Sequence, residues 1–308
     1  MTVARHAFTR SHVPDRILFG ASAFACFVIL AMLLVLVGDV VASGTRVLSW
    51  EFVSQAPREG MTAGGIFPAI FGTVALTLLM TIAAVPAGVA TAIWLAEYAP
   101  PSSRLARFVR VCIANLAGVP SIVFGLFGLG FFVATVGRGI DAVAFGGRSV
   151  YGKPSLIWAA LTLAILTLPV VVVATEEAIR AVPRELRDAS YALGATKMQT
   201  ILRVVLPEAL GGVLTGSILA VSRGAGEVAP ILFTGAAYFL PYLPTKLNDP
   251  FMNLGYHVYV LATQSPDVDR TKPLLYGTVF VLLALTFLLN LVAVVIRART
   301  RRRLRAQL

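Results

Sequence analysis

Histidine and cysteine are almost missing from this chain, with three of the first and two of the second among 308 residues. His6 and His12 fall in the N-terminal tail and His257 has no second ligand near it in sequence, so no metal centre is expected. Cys26 and Cys112 both lie within apolar stretches and read as small buried side chains, not as a disulfide or a metal pair. Charge is scarce too: 13% of residues are charged against 57% hydrophobic, which excludes an ordinary soluble domain. Acids are the rarer sign, 15 against 26 bases, giving a net charge of +11. No internal repeat, low-complexity tract or catalytic cluster of histidines and carboxylates is evident, and the chain is not expected to be an enzyme.

What is abundant is long apolar sequence. Six stretches can each cross roughly 30 Å of hydrocarbon at 1.5 Å per residue: Ile17–Val41, Phe67–Ala96, Val111–Val136, Leu156–Ala174, Ala209–Tyr238 and Leu274–Ile296. The expected class is therefore all-α, a polytopic membrane protein of six transmembrane helices. Its parts are a tail (1–16), a membrane domain (17–296) holding a loop at 175–207, and a basic tail (297–308). The basic residues set the orientation. Arg5, Arg10 and Arg16; Arg104, Arg107 and Arg110; Arg180, Arg184, Arg187, Lys197 and Arg203; and six arginines from Arg297 to Arg305 share one side, 17 against eight on the other. The positive-inside rule places that side, with both termini and the 175–207 loop, in the cytosol. The arginine tail then reads as a stop-transfer and lipid-headgroup anchor, not as a nucleic-acid site. The first span is too long for a signal-peptide core and reads as an uncleaved anchor. On the outer side, Phe239–Pro273 is the longest polar excursion, with Tyr256 and Tyr259 expected in an interfacial aromatic belt.

The 175–207 loop carries helix signals of its own. Pro183 suits a first helical position, and Val182, Leu186, Ala189 and Leu193 fall on one face. Gly194 is placed to end that helix with a left-handed cap, Thr196 and Gln199 to open the next with a capping box, and Pro207 to open the following span. A helix–glycine–helix elbow results.

Within the membrane, Pro86, Pro120, Pro169 and Pro230 fall in spans two to five and none falls inside spans one and six. A proline removes a helical hydrogen bond, and such defects are tolerated at depth only where protein or a water-lined cavity satisfies the backbone. Spans two to five are thus expected to surround the pathway. The fifth holds Ser222-Arg223-Gly224-Ala225-Gly226-Glu227-Val228-Ala229-Pro230. Arg223 lies fifteen residues past Glu208, about 22 Å along a helix, so it is expected deep in the bilayer. A charge there costs about 2.5–3.5 kcal/mol on insertion scales, and Glu227 at i+4 can neutralise it. Gly224, Gly226, Pro230 and Pro120 are the expected helix breaks. Two readings stay open for the pair: a guanidinium fork lining an anion path with Glu227 as alternating partner, or an internal strut. Thr73, Thr77 and Thr81 read as helix packing more readily than as a path lining, and Glu176 and Glu177 are secondary candidates. Gly147–Pro154 nearly matches a phosphate-binding loop, but Pro154 stands where the magnesium-binding hydroxyl is needed.

Two segments carry a family resemblance. Asp188-Ala189-Ser190, three residues, Gly194, nine residues and Val204-Val205-Leu206-Pro207 resemble the EAA loop of type I ABC-importer permeases, with Asp188 in place of Glu, Ser190 of Ala and Val204 of Ile. Arg223, Gly226, Glu227, Ala229, Pro230, Leu232, Phe233 and Thr234 resemble the fifth-helix signature of PstA-type permeases of bacterial phosphate importers, departing at Val228 and Ile231. Gly118–Phe127 and Ala174–Arg180 add to it, and the resemblance runs from about Phe71 to the C-terminus. It implies a bacterial inner-membrane subunit forming half of a translocation pathway. The implied partners are a PstC-like permease, two copies of a PstB-like ATPase and a PstS-like phosphate-binding protein. The elbow (Asp188, Ala189, Gly194, Leu206, Pro207) would dock on the ATPase, which would hold the ATP and magnesium; no cofactor is implied on this chain. Permeases for sulfate or molybdate share the architecture, and an ion-coupled secondary transporter is a more distant alternative.

Overall fold

The computed structural model describes residues 12–305 apart from Pro101 and Pro266. Arg5 and Arg10 lie outside the described residues, as do the side chains of Arg16 and of the arginines beyond Thr300. The chain begins with α1 (His12–Gly44), the short α2 (Trp50–Ser54) and a small hairpin of β1 (Pro57–Arg58) and β2 (Ala63–Gly64). Next come α3 (Phe67–Ile93), extended by a π-helical turn at Trp94–Tyr98, and α4 (Arg104–Gly118). The third crossing continues as α5 (Ser121–Phe127), a π-helical stretch Gly128–Gly137 and α6 (Arg138–Ala144). It is followed by α7 (Leu156–Arg180) and α8 (Arg184–Ala192). The fifth crossing is α9 (Lys197–Thr200), a π-helical turn Ile201–Val205 and α10 (Leu206–Ala225). The chain ends with α11 (Ile231–Thr234), α12 (Leu254–Thr263) and α13 (Val268–Arg305). Among the described residues, six helical stretches are long and apolar enough to span a membrane.

The fourth span, α7, is the axis of the bundle. Of its most apolar stretch 67% is buried, against none for the first span and 6% for the last. Spans one and six therefore sit at the edge of this chain, their side chains turned to the surroundings. Around α7 the neighbours come close because small residues face it. Cβ atoms on Gly212 and Gly216 of α10 would run into Ala178 and Ala174, and one on Gly88 of α3 would stand 2.7 Å from Val171. The core between α3, α7 and the outer loops is filled by Leu76, Met80, Leu163, Ile231 and Phe251.

The segment Phe239–Pro273, expected as a polar excursion, is partly buried. It turns back into the bundle, and Phe251 is completely buried among α3 and α7 side chains. The backbone explains this. The first N–H groups of α7 have no helical partner, and they are met by carbonyls of this segment: Leu156 N–H to Asp249 O at 2.9 Å and Ile157 N–H to Leu247 O at 2.9 Å. Ser155 N–H bonds Thr234 O at 2.8 Å. Asn253 then caps α12 through Tyr256 N–H, and Leu254 N–H reaches Thr73 Oγ1 at 2.9 Å on α3. Gly72 is needed beside that contact, since a Cβ would overlap the Met252 carbonyl. Tyr256 and Tyr259 stack at 6.1 Å, while His257 between them points inward, only 4% exposed.

Several boundaries expected from sequence move. The third crossing is not one helix over 111–136: it breaks at Val119–Pro120, where Pro120 precedes α5 without a donatable N–H. The fifth is not one helix over 209–238. It starts at Lys197 and stops at Ala225; Pro207 stands in the first turn of α10 as expected, and the helical path runs back through the π-helical turn to Lys197. Pro86 and Pro169 leave α3 and α7 uninterrupted. Pro183 caps α8 from outside it, one position before the expected one. Cys26 is exposed on α1 and Cys112 half-buried, so neither packs in a core.

The near-match at Gly147–Pro154 has a structural purpose instead. The carboxylate of Asp141, 3% exposed, accepts the N–H groups of Val150 (3.0 Å), Tyr151 (2.8 Å) and Gly152 (2.7 Å), so the loop folds around a side chain of its own. Asp141→Asn puts an amide N–H₂ against those donors and should lower the melting temperature of the purified protein by a few degrees. An unchanged melt would show that the loop holds its shape without the carboxylate.

His257 gives a pH prediction. Burial lowers its pKa from 6.5 to about 4, and its Nδ1 has no hydrogen-bond partner. The unfolded chain binds this proton more readily than the folded one. The stability is therefore whole above about pH 6.5 and lost as pH falls towards 4, by about 3 kcal/mol in all. His257→Phe should leave the pH 7 melt unchanged or raised, and should remove this part of the acid loss. An identical pH profile for both proteins would contradict the assignment.

Candidate functional site in the membrane and at the elbow

Two of the crossings are discontinuous, and α5, which follows the first break, packs against the second. A Cβ on Gly125, one turn past the Val119–Pro120 break, would stand 3.0 Å from the Pro230 backbone and from the Phe233 ring. Pro230 closes the break that follows α10, and Thr234 Oγ donates back to its carbonyl at 2.9 Å. Arg223 sits in the last turn of α10, where the carbonyl end of a helix favours a cation. Its depth follows from its neighbour. A Cβ on Gly224 would collide with the Met80 sulfur and lie 3.4 Å from Thr167, which is near the middle of α7. Arg223 is thus held at mid-span.

The Arg223–Glu227 pair is present with a different geometry from the helical i, i+4 contact expected. The helix ends at Ala225, Gly226 is its C-cap with φ −96°, and Glu227 lies beyond it. Gly224 still belongs to the helix, so the break begins two residues later than expected. The Nε–Oε1 separation is 3.5 Å across the unwound turn, with the Arg223 side chain 46% exposed and Glu227 20%. A long single contact leaves most guanidinium N–H groups without a partner among the described residues. Gly118, at the other break, has open space where a Cβ would be. Thr73, Thr77 and Thr81 do not face this region with free hydroxyls: each bonds the carbonyl four residues back, at 2.7, 2.8 and 2.7 Å. Ser222, beside Arg223, bonds the Asn290 side chain of α13 and ties spans five and six.

At the end of the bundle where α7 gives way to α8, the elbow has two halves. The cap at Gly194 has φ +81°, and a Cβ there would meet nothing, so backbone conformation alone asks for glycine. Thr196 and Gln199 form both bonds of a capping box. Asp188 and Ala189 are exposed on α8, while Leu206 and Pro207 are half-buried in the helix that leads into the membrane. Of the expected apolar face, Val182 is buried, but no residue of α8 is: Leu186 is 42% and Leu193 is 90% exposed, so the part of that face beyond Val182 is uncovered by this chain.

Composition did not single out Glu97, yet it anchors the elbow. Arg187 donates to its carboxylate from Nη2 at 2.9 Å and Nε at 3.2 Å. The same guanidinium caps the end of α7, reaching Ile179 O at 2.8 Å and Val182 O at 2.6 Å. Of the secondary candidates, Glu176 is a strut between Arg110 (3.0 Å) and Arg180 (2.7 Å), and Glu177 is exposed. A cleft of roughly 710 Å³ opens beside α8, lined by Arg110, Arg180, Arg184, Arg187, Asp188 and Tyr191 among others. The signal for Glu97 was available in sequence: a lone acid ending a long apolar span one residue before an aromatic.

The chain has relatives that match over most of its length. It is 32% identical over 271 residues to a probable ABC transporter permease protein, YqgI of Bacillus subtilis, covering 83% of this chain and 87% of that one. Phosphate transport system permease protein PstA of Yersinia pestis is 34% identical, covering 80% and 77%. PstA 1 of Mycobacterium tuberculosis is 39% identical over 68% of this chain, which spans just under two thirds, 65%, of that relative. Among solved structures, the permease fold of a bacterial alginate ABC transporter superposes with a TM-score of 0.67 at 15% identity, over 94% of this chain and 96% of the other. The MetNI methionine ABC transporter, in an inward-facing form, gives 0.58 at 20% identity over 75% and 94%. Residues 88–306 match the profile of binding-protein-dependent transport system inner membrane components, and the chain, a multi-pass membrane protein, belongs to that family.

Proposed function

We propose that this chain is the permease subunit of an ATP-driven phosphate importer of a bacterial plasma membrane, forming half of the pathway with both termini in the cytosol. The observation that carries it is Arg223: a half-exposed guanidinium at mid-span, in the last turn of a helix that breaks there, with one long contact to Glu227. A planar fork of donors suits a tetrahedral oxyanion, and a carboxylate past the helix end can swing to it when the anion leaves. Relatives named for phosphate transport support the choice of oxyanion. The 17 to eight split of basic residues supports the orientation.

The partners follow from what this chain lacks and offers. The open surface around Arg223 would be completed by a PstC-like permease. The uncovered apolar face of α8 and the exposed Asp188 and Ala189 would be gripped by one of two PstB-like ATPases carrying the ATP and magnesium. A PstS-like protein would deliver phosphate from outside. The chain itself would bind no cofactor.

Arg223→Lys keeps the charge but loses the fork, and uptake of radiolabelled phosphate should fall about tenfold or more at unchanged membrane abundance, the size of a lost charge-assisted hydrogen bond. A strut predicts otherwise: neutralising Arg223 and Glu227 together with residues of similar volume would restore uptake. Full uptake by that double variant rejects the pathway role. Uptake of sulfate or molybdate, but not phosphate, by the unaltered complex would reassign the oxyanion.

Gly194→Val forces a β-branched residue into a left-handed conformation at about 1 kcal/mol and should misalign the elbow. Insertion should persist while co-purification of the ATP-binding subunit and uptake both drop. Normal values for both would remove the docking role.

A further inference from the structure

The two halves of the elbow belong to different helices of the bundle. The first, α8, hangs from α7, because Arg187 fills the carbonyls at the end of that helix. The second runs without interruption from Lys197 to Ala225, ending beside Arg223. Between them stand the left-handed Gly194 and a hydrogen bond between Ser190 Oγ and Thr200 Oγ1 at 2.9 Å, while Ile179 and Val182 pack with Val205 and Ala209 beneath the turn.

A third helix touches both. The π-helical end of span two, Trp94–Tyr98, presents consecutive residues to opposite halves. Glu97 holds Arg187 of the first half in a pair whose side chains are 9% and 15% exposed, so the contact is strong and shielded. Tyr98 holds the second half: Lys197 Nζ lies 4.9 Å over its ring, and its hydroxyl is 3.5 Å from the Met198 sulfur. A π-helical turn carries one residue more than an α-turn, so it is a point where a helix can change register. From there α3 runs to Met80, which packs against Gly224 with no side chain between, next to Arg223. The elbow is therefore joined to the mid-span guanidinium twice, along α10 and along α3.

We propose that Glu97 and Tyr98 form a clasp that makes α3 move with the elbow, so that displacement of the loop reaches Arg223 on two helices at once. Glu97 and Tyr98 are positioning residues in this scheme and do not touch the transported anion. The proposal rests on the reading of the elbow as the ATPase-docking element. Rigid helices packed end to end supply the physical route.

The test uses the full chain, tagged and purified with its co-purifying subunits, reconstituted in vesicles with phosphate as the probe. Glu97→Gln should keep membrane abundance, the bound ATP-binding subunit and ATP hydrolysis, while phosphate taken up per ATP hydrolysed falls about tenfold, an ordinary coupling strength. Tyr98→Ala should do the same, and Tyr98→Phe, which keeps the ring over Lys197, should stay near normal. Unchanged uptake per ATP in both Glu97→Gln and Tyr98→Ala overturns the clasp and leaves docking intact. If the unaltered chain brings down no ATP-binding subunit, docking and clasp fall together. Should Glu97→Gln fail to fold, the unaltered complex still decides. A non-hydrolysable ATP analogue should change amide exchange over 94–98 as well as over 184–200. A change confined to 184–200 rejects the clasp.

Discussion

A helix that ends inside hydrocarbon leaves carbonyls with no partner, and water is not there to take them. Two crossings of this chain end at that depth, after Gly118 and after Ala225, and the remainder of the fold is arranged so that they can. Past the first break, α5 packs through Gly125 on Pro230 and Phe233 and so covers part of the second. α7 stays whole beside them despite Pro169 and supplies a continuous wall. The segment 239–273 returns into the bundle with Phe251 at its tip and covers the open first turn of α7. A cation at the carbonyl end of α10 then sits where the helix dipole favours it, which offsets part of the cost of a charge at mid-span.

The same constraint sorts the small residues. Gly212, Gly216 and Gly224 lie along α10 where Ala178, Ala174 and Met80 press against its backbone, and between packed helices that close approach replaces the hydrophobic drive available in water. The threonines of α3 serve this packing: with each hydroxyl turned back to its own helix, they present methyl groups and little polarity to their neighbours. Thr73 alone does more, accepting the first N–H of α12.

Most of the fold was legible in the sequence because apolar length is a strong signal. The elbow was equally plain, since Gly194, Thr196 and Gln199 each have a local backbone reason to be there. What could not be read were the ends of helices three and five. Pro120 and Pro230 announce a defect, but Pro86 and Pro169 have the same local chemistry and leave their helices unbroken. Whether a proline breaks or only bends a helix depends on what neighbouring elements offer the freed backbone, and that is tertiary information. The excursion 239–273 misled for a related reason. Its charges mark it as external, yet its alternating Phe251, Leu254 and Leu261 are buried by contacts far away in sequence.

Glu97 shows the other limit. An acid at the end of a span reads as an interfacial residue, and nothing local says that Arg187, ninety residues later, will reach it. The pairing follows from the geometry of α7. Its last turn leaves carbonyls at Ile179 and Val182 that need donors, and an arginine one turn into α8 can fill them only by lying flat across the helix end. In that pose its remaining N–H groups point at the end of α3, where a carboxylate is the natural complement. Helix termination, elbow placement and the link to span two are thus settled by one guanidinium with its donors fully used, in contrast to Arg223, whose donors are left largely open.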